Sequence, residues 1–573
     1  MALSMDPQWI ERIYNNSDGE DFLGIRIISE NILSYLLPGI ITITQRARYY
    51  AFYCWLIVDY EKEHPPGWTL AKFIKRREQI FAFANFAFQP AIDYRKALIG
   101  LAGYNAVTVH WSQHKSTGAI PLTLDNFLTN EYGGYRIYSG VLQNLNAYQT
   151  TGANKIQVWA YGKKLADAFE CSIQNTEYFK HRAEYDHVDS IAVSVLEEYG
   201  RQCHLSQLKS QPDANEVLEL LFQFSSGKPL PGYESSNLPV QNMRGSLGMI
   251  LDMCRGDLPG QLNEIAFLQN TLYAFCADYT LYCPSAELKP FIALWQIRTL
   301  RELYVYSLYG LWASFLEWLR QNGPQTLESY LSYLDQNVRF DLLDAKSEIG
   351  AKSNSLSSWR LSDYLNSFLN ASHIPQGTLE ERIIAYSSQS QSSLNEFELI
   401  RKLRAVDKTN TPEYISLTIL LLTGVYIRLS AIQTNDSFQT WPFVELGGQR
   451  RRSLALFVEH FKQDCLHGRC ILESITWLIR DYILTQHTIA ALEKWRSRKA
   501  NTFHFIYDAG YFEYVRGDNT GFAASRFDQA HNMLTDLGLI SLDNDQHPLT
   551  PAGSDVLDKV LGNLREYWPN PSA

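Results

Sequence analysis

Apolar residues recur every three to four positions along most of this chain, the period of a helix face. In IRIISENILSYLL, residues Ile25, Ile28, Ile32 and Leu36 share one side. Across a hinge at Pro38-Gly39, QRARYYAFYCWLIVDYEKE reads as a second helix, with Thr44 suited to the N-cap and Pro65-Pro66-Gly67 ending it. TLAKFIKRREQIFAFANFAF reads as a third and carries Lys72, Lys75, Arg76 and Arg77. The pattern shortens over 125–170. There a helix turns Tyr135, Tyr138, Leu142 and Leu145 inward, QTTGANKIQVW supplies a turn and a strand, and YGKKLADAFECSI opens a new helix after Gly162. The tail shows the same order. Ala523, Phe527, Ala530, Leu534 and Leu537 form one helix face, and Gly538 suits its C-cap. LISLDNDQHPLT reads as two short strands about a polar turn, and Pro551 sits in the first turn of a closing helix.

These elements predict a mainly α, multidomain protein of helical bundles, with a C-terminal winged-helix domain and a second winged-helix-like module near residues 125–170. In that second module the Leu-Thr-Pro element of the tail has decayed to VWAYGKKLA. The expected division is an N-terminal helical domain over 1–124, the module over 125–175, and a helical middle domain over 176–395 with loops at 228–242 and 344–395. A second helical domain then covers 396–500, and the winged-helix domain 501–573. The stretch 292–323 is a long, aromatic-rich helical run, and SSQSQSSLNEF (387–397) suits a surface linker. No period of 20–50 residues marks a solenoid.

At 573 residues the chain exceeds a single core. Hydrophobic residues make up 46% and charged residues 20%, a globular balance, and 34 Tyr with 13 Trp imply ring-rich cores. The start, MALSMDPQWIERIY, reads as lacking a secretory leader. ISLTILLLTGVYI (415–427) falls short of the roughly 20 residues that span a bilayer and reads as a buried helix, so no membrane partner is expected. Eight scattered cysteines fit reduced thiols in a cytoplasm. The net charge of −10 argues against a protein coated in nucleic acid but allows a local basic face.

Catalytic patterns are sparse. Neither G-x-x-x-x-G-K-[ST], nor G-x-G-x-x-G after a strand, nor G-x-S-x-G occurs. DYTLYCPSAELK offers Asp278, Glu287 and Lys289, loosely the D…E-x-K pattern of restriction-type nucleases with YTLYC as the strand; the competing reading is a surface turn. R-x-x-x-x-H occurs at Arg182/His187 and Arg526/His531, about as often as chance gives. HFKQDCLHGRC gathers His460, Cys465, His467 and Cys470 without the paired knuckles of a zinc site, and His110 and His114 lack the Glu of H-E-x-x-H. No cofactor or metal is therefore assigned. Basic clusters remain: Arg450, Arg451 and Arg452, then Lys494, Arg496, Arg498 and Lys499 ahead of the tail. On the expected recognition helix, Ser525, Arg526, Gln529 and Asn532 are types that read base edges, while Asp528 and Asp536 would repel phosphate. The expected DNA contacts are Arg496, Arg498, Lys499, Arg526, Gln529 and Asn532.

LLPGIITITQRARYYAFYCWL (36–56), GLAGYN (100–105) and the Tyr/Gly-rich helix at 132–145 resemble a family of largely uncharacterised prokaryotic proteins with the pattern F-P-G-x-[ST]-x-x-x-x-R-[AS]-[KR]-Y-F. The resemblance covers about the first quarter and departs at Leu37, where an aromatic is common. Genes of that family lie beside helicases and nucleases in antiphage defence islands. The resemblance implies a genomic setting and no mechanism; together with the expected C-terminal winged helix and its basic cluster, the expectation is a non-catalytic DNA-recognition or scaffolding subunit of a multi-protein antiphage system, partnered by helicase, ATPase or nuclease subunits. The alternatives are a metal-dependent nuclease effector using Asp278, Glu287 and Lys289, and a winged-helix docking adaptor that binds no nucleic acid. Arg46 and Arg48 carry the sharpest question, because cations are disfavoured at a helix N-terminus. Either they pair with buried acids such as Glu20, Asp21 or Glu30 and pin the hinge, or they meet a nucleic-acid phosphate beside Tyr49 and Tyr50. Replacing both by alanine separates the two: lost folding marks the first, intact folding with lost binding the second.

Overall fold

The computed structural model describes residues 21–63, 65–89, 98–123, 127–128, 133–151, 155–224, 238–256, 261–343, 355–390, 395–409, 411–433, 453–498, 501–518, 521–541 and 548–567. It is mainly helical, with three two-stranded antiparallel sheets among the described residues. The helices needed below are α1 (Arg26–Leu36), α2 (Arg48–Glu63), α3 (Leu70–Ala87), α4 (Tyr135–Asn144), α5 (Ala160–Ile173), α6 (Val193–Cys203) and α7 (Asp213–Phe222). They continue with α8 (Leu238–Arg255), α9 (Lys289–Asn322), α10 (Thr411–Gln433), α11 (Thr485–Arg498), α12 (Phe527–Asp536) and α13 (Pro551–Tyr567). The strands are β1 (Ala119–Pro121), β2 (Tyr148–Thr151), β3 (Lys155–Val158), β4 (Ser190–Ala192), β5 (Phe505–Asp508) and β6 (Tyr511–Tyr514), paired β1–β4, β2–β3 and β5–β6.

The chain forms two compact units. The first comprises residues 1–31, 275–279 and 297–523, the second residues 32–274, 280–296 and 524–573. In the first, α9 from Ile297 onward is buried along nearly its whole length, including Arg298, Arg301 and Glu302. Glu302 accepts from the Ala523 amide at 2.7 Å and Arg298 donates to the Ala523 carbonyl at 3.1 Å. The carboxylate of Asp21 accepts from the Ile25 and Arg26 amides at the start of α1 and from the Tyr309 hydroxyl at 2.9 Å. α10 is longer than its apolar centre suggests: Thr411–Ile432 is long and apolar enough to cross a bilayer. It is the one such helix among the described residues, and 89% of its most apolar window is buried inside the protein, as for a core helix.

The second unit packs α2 against α5, α3 against α6, and α8 against α13. It contains the helix–hairpin–helix segment α4–β2–β3–α5. It also contains α12 and α13, joined across a single antiparallel bridge, Ile540 to Leu549. The polar turn expected between them falls largely at 542–547, outside the described residues.

Three expectations change. Residues 501–573 do not share one unit: the division falls between Ala523 and Ala524. Ala523 is held by Glu302 and Arg298, whereas the Ser525 amide and hydroxyl both donate to Glu264. The β5–β6 hairpin stands ahead of that division. Second, the expected loop at 344–395 contains the helices Leu361–Ala371 and Leu379–Ser387, the latter opened by a Thr378–Glu381 capping box; residues 344–354 and 391–394 lie outside the described ones. Third, α8 starts at Leu238, inside the loop expected over 228–242.

Beside Trp312 in the first unit, His487 and His504 lie with ring centroids 5.4 Å apart. Burial pushes His487 down to about 3 and, with the His487 and Arg516 charges, His504 to about 2. Both are neutral when folded, so their contribution to stability is present above the ordinary histidine value of about 6.5 and is lost as pH falls below it. Chemical denaturation is expected to give a lower midpoint at about pH 5 than at about pH 7.5, and a smaller drop in His504→Phe.

Candidate nucleic-acid interface

The hinge arginines are interior. Arg46 is 5% exposed and Arg48 is fully buried. Arg46 donates from Nε and Nη2 to the Asp536 carboxylate at 2.8–3.1 Å and from Nη1 to the Ile99 carbonyl at 3.1 Å, while the Ala47 amide adds a further bond to Asp536. Arg48 forks onto Asp213 at 3.0 and 3.1 Å and donates to the His204 carbonyl; Ser172 also binds Asp213. The acids are therefore Asp536 and Asp213, not Glu20, Asp21 or Glu30. Burial pushes the Asp536 carboxyl up, and the Arg46 fork pulls against it. Neither Tyr49 nor Tyr50 has a face free for a base: Tyr49 stacks on Tyr53 and accepts from the Ala102 amide, and Tyr50 donates to the Gly39 carbonyl at 2.6 Å. The three stretches behind the resemblance meet here. Gly100 and Ile99 abut Arg46, the Tyr138 hydroxyl lies 3.3 Å from both the amide and carbonyl of Arg46, and a Cβ on Gly39 would collide with Leu145.

The tail residues scatter. Arg526, with φ +63°, is buried and donates to the Ile40 carbonyl at 2.8 Å, so it cannot serve as a solvent-facing DNA contact. Gln529 and Asn532 are half-buried on α12, where Asp528 is the exposed residue. Arg496 is exposed on α11 of the first unit. The Arg498 side chain, Lys499 and Arg450–Arg452 lie outside the described residues. The nuclease trio is divided between the two units. Residues 279–283 form no strand, Asp278 accepts from the Ser390 amide at 2.7 Å within the first unit, and Glu287 of the second unit is held by Arg565. Lys289 opens α9. Among the described residues no group of three His, Cys, Asp or Glu could hold a metal ion. His460 stacks on Trp477 and His110 bonds the Pro121 carbonyl.

Cations do gather at the start of α3. The Pro65-Pro66-Gly67 turn, with Gly67 at φ +75°, delivers Trp68 to the helix entrance, and Thr69 caps the Lys72 amide. The first turn of α3 contains no acid. Trp68, Lys72, Lys75, Arg76, Phe127 and His187 line a cleft of about 580 Å³ in the second unit. That volume falls in the range of roughly 300–1,000 Å³ typical of ligand sites. The ammonium of Lys72 sits 4.3 Å from the Trp68 ring, and His187 meets the same ring edge-on at 5.3 Å. Arg76 donates only to carbonyls, those of Asp186, Leu122 and Val188, and burial lowers its pKa. Of the acids nearby, Asp186 lines the cleft but is bound by the wholly buried Arg77, which also holds Asp59 and Glu63, and Arg182 binds Asp59 and Glu63; Asp189 acts on Arg76 and Glu78 on Lys75. Among the described residues no carboxylate forms a salt bridge with Lys72 or Lys75, and Lys72 stands in the first turn of α3, at the positive end of the helix.

The run KRR was visible in sequence, but helix position alone cannot separate the buried Arg77 from Lys72, Lys75 and Arg76, and Leu122, Asp186 and His187 arrive from distant segments. Arg46→Ala leaves Asp536 buried without its counter-charge and is expected to cost about 3–5 kcal/mol. Replacing both partners, as Arg46→Met with Asp536→Leu, costs less; urea denaturation measures both. No family model, no curated protein and no solved structure matches this chain.

Proposed function

We propose that the protein is a non-catalytic nucleic-acid-recognition or scaffolding subunit of a prokaryotic multi-protein antiphage system, holding phosphates at the α3 cleft. The observation that carries this reading is the cationic entrance of α3, whose first turn contains no acid and where Lys72, Lys75 and Arg76 line a cleft with Trp68, neither lysine in a salt bridge among the described residues. Like charges at a positive helix end are costly unless an anion relieves them, and a ring beside phosphate ligands is the usual arrangement for a stacked base. The segments α4–β2–β3–α5 and α12–α13 are taken as winged-helix modules within the same reading. The defence setting rests on the resemblance of residues 36–56, 100–105 and 132–145. Helicase, ATPase or nuclease subunits are the partners it implies, and no cofactor is assigned.

The docking-adaptor reading has its own observation. On the β5–β6 hairpin, Ile506, Tyr507 and Tyr511 are each more than half exposed, beside a groove of about 850 Å³ in the first unit. Exposed aromatic and branched side chains on a short hairpin suit a protein contact.

Fluorescence anisotropy with labelled DNA and RNA separates the two. Binding is expected to weaken steeply as salt rises. Lys72→Ala with Lys75→Ala is expected to lower affinity about tenfold and to flatten the salt dependence by about two phosphate contacts. Absence of binding, or binding insensitive to salt, overturns the nucleic-acid reading; co-purification of a partner that is lost in Tyr507→Ala with Tyr511→Ala supports the adaptor.

A further inference from the structure

The second unit contains the same local structure twice. Helix α4 ends in Asn146 at φ +53°, and α12 ends in Gly538 at φ +71°. The Ala147 amide donates back to the Leu142 carbonyl at 2.9 Å, and the Leu539 amide to the Leu534 carbonyl at 2.9 Å. After the hairpin, the Trp159 amide binds the Ala147 carbonyl at 2.9 Å, and the Thr550 amide binds the Leu539 carbonyl at 3.0 Å. The closing helices approach so tightly that a Cβ on Gly162 would collide with the Ala147 carbonyl, and one on Gly553 with the Leu539 carbonyl. Residues 135–148 thus correspond to 527–540, and Trp159 and Gly162 to Thr550 and Gly553.

The two copies carry opposite charge. Residues 133–166 contain no acid and four cations, Arg136, Lys155, Lys163 and Lys164, within a chain of net charge −10. The corresponding residues 525–557 contain five acids and one cation, the buried Arg526. The second copy spends its charges inside the protein, Asp536 on Arg46 and Arg526 on the Ile40 carbonyl. The first leaves Arg136, Gln143 and Asn144 exposed on α4 and Lys163 and Lys164 exposed on α5. Gln143 also ties the helix to its hairpin, donating to Thr150 at 2.7 Å. Midway along the exposed face is Gly140, whose absent Cβ would point into open space. Packing within the protein does not require a glycine there, and a helix interior disfavours one. The missing side chain leaves room there for an outside surface to approach closely.

We infer that the exposed sides of α4 and of the start of α5 form a duplex-DNA-binding face, with α4 entering the major groove and Lys163 and Lys164 on the flanking phosphates; this rests on the nucleic-acid reading above and adds to it a second site. The charge is complementary to a polyanion. The B-form major groove, about 12 Å wide, admits a helix, whereas the deep, narrow A-form groove of duplex RNA does not.

The test measures binding of the full-length chain to a labelled DNA duplex and to an RNA duplex of the same sequence. Arg136→Glu with Lys163→Glu and Lys164→Glu is expected to weaken DNA binding at least about a hundredfold near physiological salt, and to lower the salt exponent by about three contacts, with an unchanged thermal midpoint. Gly140→Leu, which changes no charge and favours the helix, is expected to weaken DNA binding about tenfold by holding the groove away. Wild-type DNA affinity in both variants overturns this inference while leaving the α3 cleft as the nucleic-acid site. Equal or tighter binding to the RNA duplex overturns it too. A wild-type chain that binds no nucleic acid overturns the inference together with the reading beneath it.

Discussion

The buried guanidinium of Arg46 constrains the second unit more than any other group. A cation enclosed at the start of a helix, with no acid in that first turn, is stable only if a carboxylate is brought to it and every donor finds an acceptor. Asp536 supplies the carboxylate from 490 residues away, at the last position of α12, where its own charge faces the negative end of a helix. Each group thus relieves a cost the other would suffer alone. Arg48 repeats the device two residues on with Asp213. The segment 38–50 consequently fixes α4, α7 and α12 around itself. The glycines of this region serve the same closeness: a Cβ on Gly100, at φ +81°, would press into Gln45 and Arg46.

This arrangement separates structural cations from available ones. Arg46, Arg48, Arg77 and Arg526 are bound by carboxylates or carbonyls in the interior. Lys72, Arg136, Lys163 and Lys164 are exposed and Lys75 half-buried, with the exposed Asp167 one turn from the α5 lysines. Arginine suits the first role because its planar fork meets a carboxylate with two parallel bonds, and lysine the second because its ammonium stays hydrated on a long stem. Buried Glu78 sits between the two sets. It accepts from Tyr53 and from the Gly134 amide at the start of α4, and burial pushes it up to about 7. The acid nearest Lys75 along α3 is thus only partly ionised near neutrality.

The two helix–hairpin–helix copies show how one backbone design can be put to different uses. Both keep the left-handed residue after the first helix and the glycine that lets the closing helix pack on a carbonyl. Those features belong to the fold. What differs is side-chain charge, which the fold leaves free at exposed positions. The copy that closes on Arg46 is acidic and the other basic.

Local periodicity was sufficient to reveal the mainly helical character, though not the helices at 361–371 and 379–387, and the helix–hairpin–helix order near 125–170, because these depend on neighbours three to five residues apart. The charge contrast between residues 133–166 and 525–557 was also present in the linear chain. Tertiary structure alone decided that Arg46, Arg48 and Arg526 are interior while Lys72 and Lys75 are open, that Asp278 and Glu287 serve separate units, and that the tail divides at Ala523. Each of these turns on a partner hundreds of residues away or on a carbonyl that no side-chain pattern announces: Asp536 for Arg46, Ile40 for Arg526, Glu302 for Ala523. Burial of a charge is decided by whether such a partner arrives, and that is a property of the folded chain rather than of any window along it.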